Sequence, residues 1–128
     1  MRMLLPALLL LAGCSTVTVE PPVGSDWTVK DLGGRGVIDT PQTTLRFEAD
    51  KVIGNAGCNR YFGPYKQVDG ALRIGPLAAS RQACAPAVMD QEVRFLIALE
   101  KVRRLEARDD GTLLLLDAEG STLIVLSR

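Results

Sequence analysis

One stretch of twelve residues decides the fold: Gly54-Asn55-Ala56-Gly57-Cys58-Asn59-Arg60-Tyr61-Phe62-Gly63-Pro64-Tyr65. It contains three glycines, two asparagines, one cysteine and three of the six aromatic residues in the chain. Glycine allows positive φ and the close approach of another segment, and asparagine bonds readily to nearby backbone. We therefore expect a tight corner whose aromatic side chains lie where the core is densest. Its predicted structural residues are Gly54, Gly57, Asn59, Tyr61, Gly63 and Tyr65.

The N-terminus is typical of an exported lipoprotein. A short basic start precedes the apolar run Leu4–Ala12, which is far shorter than the roughly 20 residues that span a bilayer and fits a signal peptide. The following Leu11-Ala12-Gly13-Cys14 resembles the lipobox of bacterial lipoproteins, in which the signal is cut before the cysteine and its thiol carries a diacylglycerol. An ordinary signal peptide with an incidental cysteine is the alternative interpretation.

This interpretation divides the chain into three parts. Residues 1–13 are predicted to be a signal peptide, residues 14–24 a lipidated N-terminus and flexible tether, and residues 25–128 one folded domain. Several acyl chains make a stable membrane anchor. Ser15 follows Cys14 in place of the aspartate that tends to retain Gram-negative lipoproteins at the inner membrane. We therefore expect an anchor in the outer membrane, with the domain facing the periplasm.

Composition narrows the possible functions. The formal charge of the chain is zero and becomes about −1 when Arg2 is removed with the signal peptide, because 14 basic then face 15 acidic residues. A near-neutral domain without a basic stripe is a poor candidate for binding nucleic acid. The chain contains no histidine, which is the usual general base and a common metal ligand. The sequence therefore predicts no metal, no cofactor and no enzymatic activity.

Two cysteines remain once Cys14 is set aside for lipidation. In an oxidising compartment, Cys58 and Cys84 are expected to form a disulfide. Closing a loop of about 27 residues stabilises a fold by roughly 3.5 kcal/mol in the chain-entropy account. A redox pair and two buried free thiols are the alternatives, although the spacing is unlike Cys-x-x-Cys.

The middle of the chain predicts an antiparallel meander and then a helix. Short strands are expected at 27–32, 36–38, 43–47, 51–53, 61–68 and 72–74, followed by a crossing loop at 77–84. A helix is expected from Pro86 to Lys101, because proline suits the first helical turn. Its apolar positions cover an arc of roughly 220°, wider than the usual ~100°, which predicts that the sheet surrounds most of it. Glu92 and Glu100 fall inside this arc and are interpreted as rim positions that pair with Arg103, Arg104 or solvent.

The C-terminal region predicts three more strands, at 103–108, 112–117 and 121–127. Leu113–Leu116 does not alternate with polar residues, so both faces of that strand must be covered. Neighbouring loops and tertiary packing are one possible cover, and an apolar ligand or partner is the other.

Together these segments resemble the META domain family of HslJ-like bacterial envelope lipoproteins. The resemblance lies in Gly54–Tyr65, in Leu72-Arg73-Ile74-Gly75-Pro76-Leu77-Ala78, in Ala83-Cys84 and in Phe95-Leu96-Ile97-Ala98-Leu99. It covers about residues 25–128. The chain departs from the family before the second cysteine, where Ser80-Arg81-Gln82 replaces the frequent Thr and Met.

The resemblance implies an α+β fold, with a single domain in which a curved, open-barrel-like antiparallel sheet wraps around one helix. Family members are associated with the cell envelope and with stress tolerance, and no enzymatic activity comes with the family. We therefore expect a monomer with a binding or envelope-maintenance role, held at the membrane by its lipid and meeting an envelope protein or apolar ligand. The alternatives are an acyl-chain carrier or pilot-like chaperone, and a thiol-redox protein using Cys58 and Cys84.

Overall fold

The computed structural model describes residues 16–128, which form eleven strands and one helix. The elements are β1 Thr16–Thr18, β2 Asp26–Leu32, β3 Arg35–Gly36, β4 Thr44–Phe47, β5 Lys51–Asn55, β6 Arg60–Val68, β7 Ala71–Ile74, β8 Ala78–Ala79, α1 Pro86–Lys101, β9 Arg104–Arg108, β10 Leu113–Leu116 and β11 Thr122–Ser127. The helix has the predicted bounds, with Pro86 in its first turn. β8 is a short strand within the segment predicted as a crossing loop.

The strands form one curved antiparallel sheet that does not close. Their order is β1-β9-β10-β11-β2-β4-β5-β6-β7, with β3 paired to β2 and β8 paired to β6. Hairpin connections join most neighbours, since short turns link antiparallel strands directly. The predicted class, a single α+β domain with an open-barrel-like sheet and one helix, is confirmed.

The segment predicted as a flexible tether is partly folded. Thr16, Val17 and Thr18 pair with Arg108, Ala107 and Glu106 in β9, and the N–H of Val19 donates to the carbonyl oxygen of Leu105 at 3.0 Å. The prediction of a tether over 14–24 is therefore wrong for residues 16–19. The physical reason is that β9 would otherwise present an unpaired edge, and alternating Thr and Val suit a strand.

The concave side of the sheet and the helix share one hydrophobic core. Leu45, Phe47, Leu115 and Leu126 contribute from the sheet and are at most 1% exposed. Phe95 contributes from the helix, and its ring meets that of Tyr61 edge-on with centroids 5.4 Å apart. Within residues 16–128 no helix has the length and apolarity needed to cross a bilayer.

The helix is less enclosed than its apolar arc predicted. Val93 and Ile97 are 53% and 51% exposed, whereas Gln91 and Glu92 are buried. The expectation that the sheet surrounds most of the helix is wrong, because only one side of the helix faces it. Gln91 lies on that side, and its Oε1 accepts the N–H of Ile38 at 2.9 Å.

Both faces of the Leu113–Leu116 strand are covered, as its pattern predicted. Leu113 and Leu115 lie in the core, and Leu114 and Leu116 are 7% and 4% exposed on the other face. Glu106 stands opposite Leu114 and Arg104 opposite Leu116, and these two charged side chains form an ion pair at 3.2 Å. The register thus places long side chains with apolar stems beside the two outer leucines.

Two helix substitutions distinguish a one-sided helix from an enclosed one. We expect Leu99→Ala to lower the free energy of unfolding by about 2–5 kcal/mol, since it empties a buried site. We expect Ile97→Ala to change it by less than about 0.5 kcal/mol, since this side chain is half exposed. Urea unfolding measures both. Similar losses for the two variants would contradict the observed placement of the helix.

Candidate functional site

The corner between β5 and β6 is a tight turn held by its own backbone. The N–H of Ala56 donates to the carbonyl oxygen of Asn59 at 2.7 Å. The N–H of Gly57 donates to Oδ1 of Asn55 at 2.8 Å, the short-range bond that makes asparagine a turn residue. Gly57 has φ +127°, which L side chains rarely adopt, and it lies against Val88 of the helix. The turn therefore brings the corner onto the first turns of α1.

The side-chain amide of Asn59 uses all of its hydrogen-bonding capacity. Its Nδ2 donates to the carbonyl oxygen of Gln82 at 3.2 Å and to Oε2 of Glu92 at 2.8 Å. Its Oδ1 accepts the N–H of Gln82 at 2.7 Å and the hydroxyl of Ser80 at 3.0 Å. An amide offers two donors and two acceptor sites. Asn59, which is 2% exposed, thereby joins the corner, the crossing loop and the helix.

Glu92 is a buried carboxylate that binds the corner through three hydrogen bonds. Its Oε1 accepts the N–H of Cys58 at 3.1 Å and that of Asn59 at 2.7 Å, in addition to the Oε2 contact. Glu92 is 4% exposed and forms no ion pair within residues 16–128. Its interpretation as a rim residue near Arg103 or Arg104 is therefore wrong. Glu100 does lie exposed, and it accepts the N–H of Leu77 at 2.8 Å.

The disulfide adds a covalent link beside this network. The sulfur atoms of Cys58 and Cys84 are bonded, with their Cα atoms 5.9 Å apart, so the structure contains the predicted pair. The bond connects the corner to the end of the crossing loop, immediately before α1. The other predicted modification site, Cys14, lies outside the described residues.

Two glycines of the motif allow neighbouring chains to come close. A Cβ added at Gly54 would lie 2.2 Å from the carbonyl oxygen of Thr44, and one at Gly63 would lie 2.7 Å from Cδ2 of Leu77. Tyr61 packs beside Gly54, and its hydroxyl donates to the same carbonyl of Thr44 at 2.8 Å. Burial raises the pKa of Tyr61 well above its ordinary value, so this hydroxyl stays protonated and serves as a donor.

The aromatic residues of the corner lie on different faces of the sheet. Tyr65 donates its hydroxyl to the carbonyl oxygen of Glu48, and its ring meets Phe47 edge-on at 5.9 Å. Partial burial, then the charges of Asp50 and Glu48, raise the pKa of Tyr65. Phe62 is instead 58% exposed. The expectation that it packs in the core is wrong, because strand alternation turns it outward when Tyr61 points inward.

Phe62 borders a groove on the convex face of the sheet, which we call the outer groove. It consists of two adjoining depressions of about 330 and 380 Å³ that share Ile53, Gly54 and Arg60. Arg46 and Asp26 line the first depression, and the hydrogen bonds that Arg46 donates to Asp26 and to Glu48 raise the pKa of Arg46. The concave shape, an exposed ring and the exposed Arg60, which lines both depressions, give this groove the features of a binding site.

The sequence indicates the corner but not the residues that hold it. Glu92 and Gln82 were not predicted to hold Asn59, and the only available signal was a glutamate inside an apolar helical face. Arg60 carried no signal at all. Among residues 16–128, no cluster of three or more His, Cys, Asp or Glu side chains is arranged to hold a metal ion.

The contribution of Glu92 can be measured against a control on the same helix. We expect Glu92→Ala to lower the free energy of unfolding by about 3 kcal/mol or more, since it leaves three donors without an acceptor. Glu100→Ala removes one exposed hydrogen bond and should cost less than about 1 kcal/mol. Urea unfolding at neutral pH measures the difference. Equal losses would show that the buried carboxylate has no special role.

Comparison with known proteins agrees with this architecture. The family model of the META domain matches residues 18–128. An NMR structure of a protein from Burkholderia xenovorans is similar, with 24% identity, a TM-score of 0.67 and coverage of 97% of this chain and 98% of the other. A second NMR structure has 23% identity, a TM-score of 0.56 and coverage of 78% and 86%; at such identities the likeness concerns the fold alone. No curated protein matches significantly. The family match spans most of the chain, which therefore belongs to the META domain family.

Proposed function

We propose that this chain is a lipid-anchored envelope lipoprotein whose META domain binds other molecules and catalyses no reaction of its own. The observation that carries the proposal is the disulfide between Cys58 and Cys84. Such bonds persist in oxidising compartments outside the cytoplasm. Export also fits the apolar run Leu4–Ala12 and the small residues before Cys14.

The lack of catalysis is supported by how the reactive groups are used. An enzyme needs a nucleophile with a base, a metal or a poised acid pair. The buried carboxylate of Glu92 is occupied by three N–H donors, and Cys58 and Cys84 are bonded to each other. The chain has no histidine. The outer groove is therefore the best candidate for a functional site, and its exposed aromatic and basic residues are suited to binding a ligand.

The anchor would hold the domain close to the bilayer. β1 begins at Thr16, two positions after Cys14, and two extended residues reach about 7 Å. The lipoprotein would therefore work at the membrane surface, in the outer membrane facing the periplasm if Ser15 acts as in Gram-negative lipoproteins. Its partners would be envelope molecules that reach this surface.

Two alternatives have weaker support. An acyl-chain carrier or pilot-like chaperone needs space between helix and sheet, where Tyr61, Phe95 and Leu99 are at most 2% exposed and fill the interface. A thiol-redox protein would use Cys58 and Cys84. Their spacing is unlike that of redox motifs, and hydrogen bonds to Asn59 would keep the two segments together after reduction.

Lipidation is tested by labelling cells with radioactive palmitate. We expect the unmodified sequence to incorporate label and to sediment with the outer membrane, and Cys14→Ser to incorporate none, because the acylated thiol is gone. The matched control is Cys58→Ser, which should keep the label. Label retained in Cys14→Ser, or absent from the unmodified protein, would contradict the anchor.

A further inference from the structure

We propose that the outer groove binds an acidic peptide segment of a partner protein, with an apolar side chain of that segment seated against Phe62 and Ile53. The proposal rests on the proposed function as a binding module and specifies the chemistry of its partner. It follows from the charges around the groove, from a pair of like charges in the sheet, and from the shape of the groove.

Four basic residues lie on the convex face of β5, β6 and β7. Arg60, Phe62 and Lys66 alternate along β6 and so share one face. Lys51 stands opposite Pro64 of the same face, and Arg73 stands opposite Lys66. We call Lys51, Arg60, Lys66 and Arg73 the basic face. The balanced composition gave no sign of these four residues sharing a face, although Asp26 also lines the first depression, where it pairs with Arg46.

The basic face has no carboxylate partners of its own. Within residues 16–128 none of its four members forms an ion pair, whereas Arg46, Arg94 and Arg104 each have a carboxylate partner at 3.0–3.2 Å. Four cations without an ion-pair partner among the described residues therefore lie together on this face, and Lys51 and Arg60 also line the groove. Opposite charge on a partner would complement them, steer its approach and select against basic partners.

Lys66 and Arg73 add a second observation. They are directly opposite each other in the β6–β7 pairing, and like charges in this relation destabilise a sheet. No other residue of β6 and β7 repeats the conflict, since the neighbouring pairs are Tyr65 with Ile74 and Gln67 with Leu72. A carboxylate placed between the two cations would relieve their repulsion.

The shape of the site favours a peptide over a lipid surface. A bilayer is broad and would meet protruding side chains, whereas the two depressions of about 330 and 380 Å³ are concave. Phe62, which is 58% exposed, lines the second depression, and Ile53 lines both. A rigid aromatic beside a pocket is the usual anchor point of a protein interface. The segment that fits therefore combines carboxylates with an apolar side chain.

The test measures peptide binding to the full chain purified in a neutral detergent. The probe is a short fluorescein-labelled peptide of alternating Glu and Leu, followed by fluorescence anisotropy. Two control peptides are used: one alternates Glu with Ser, and the other alternates Lys with Leu. We expect the Glu-Leu peptide to bind, the Glu-Ser peptide to bind more weakly and the Lys-Leu peptide not to bind. Added salt should weaken binding, since exposed charges are screened.

Substitutions locate the site. Arg60→Glu should lower the affinity for the Glu-Leu peptide about tenfold, since an attraction becomes a repulsion. Arg35→Glu is the matched control, because Arg35 is an exposed residue of β3, away from the basic face; it should leave the affinity unchanged. Phe62→Ser should weaken binding while leaving the salt dependence in place.

Lys66→Glu separates a functional role from a structural one. It converts the repulsive pair with Arg73 into an attractive one, so Tm should rise by about 3 °C. The same change should weaken binding of the Glu-Leu peptide. If Lys66 had only a structural role, the variant would change Tm without weakening the binding of the peptide.

Three results would overturn the proposal. The first is failure of the Glu-Leu peptide to bind. The second is equal binding by the unmodified chain, Arg60→Glu and Lys66→Glu. The third is displacement of the peptide by glycerol 1-phosphate at equal charge concentration, which would assign the basic face to lipid headgroups. The assay does not depend on acylation of Cys14, so its failure is distinguishable from failure of the proposed anchor.

Discussion

The structure depends on one buried carboxylate that receives three N–H groups from the corner at residues 58–59. A carboxylate removed from water is costly unless its oxygens are hydrogen-bonded, and here the donors come from Cys58 and Asn59. The interaction ties the first half of the sheet to the helix that follows the crossing loop. Asn59 extends it to Ser80 and Gln82, so three segments distant in sequence meet at a single polar centre inside an otherwise apolar core.

This arrangement separates structural from functional surfaces within one short stretch. On the concave side, the polar groups of Asn59 and Tyr61 form hydrogen bonds within the protein and are therefore not available to a ligand. On the convex side, the alternating positions Arg60 and Phe62 are exposed. Because the corner is fixed by Glu92 and by the disulfide, the groove beside Phe62 is held rigidly, and rigid sites lose little entropy on binding.

The sequence predicted local structure well and long-range polar contacts poorly. The bounds of the helix followed from Pro86 and a helical apolar period, and the disulfide followed from the two cysteines that remain once Cys14 is set aside, under the expectation that the chain is exported. The burial of Glu92 could not be predicted, because its donors come from a segment 33 residues earlier in the chain. Two of these donors are backbone N–H groups, which almost every residue has, so the sequence does not indicate which of them will bind a carboxylate. Likewise, the apolar period included Ile97, since a pattern shows which residues are apolar and not how many sides of a helix are covered.

The central claim, that the carboxylate of Glu92 holds the corner and the disulfide only reinforces it, is tested most directly by amide hydrogen exchange. The measurement compares the full oxidised chain with the chain after mild reduction. The account predicts that the amides of Cys58 and Asn59 remain among the slowest to exchange after reduction, because their acceptor is unchanged. If these two amides became as fast as those of the exposed turn at 109–111, the disulfide and not the carboxylate would be the organising link.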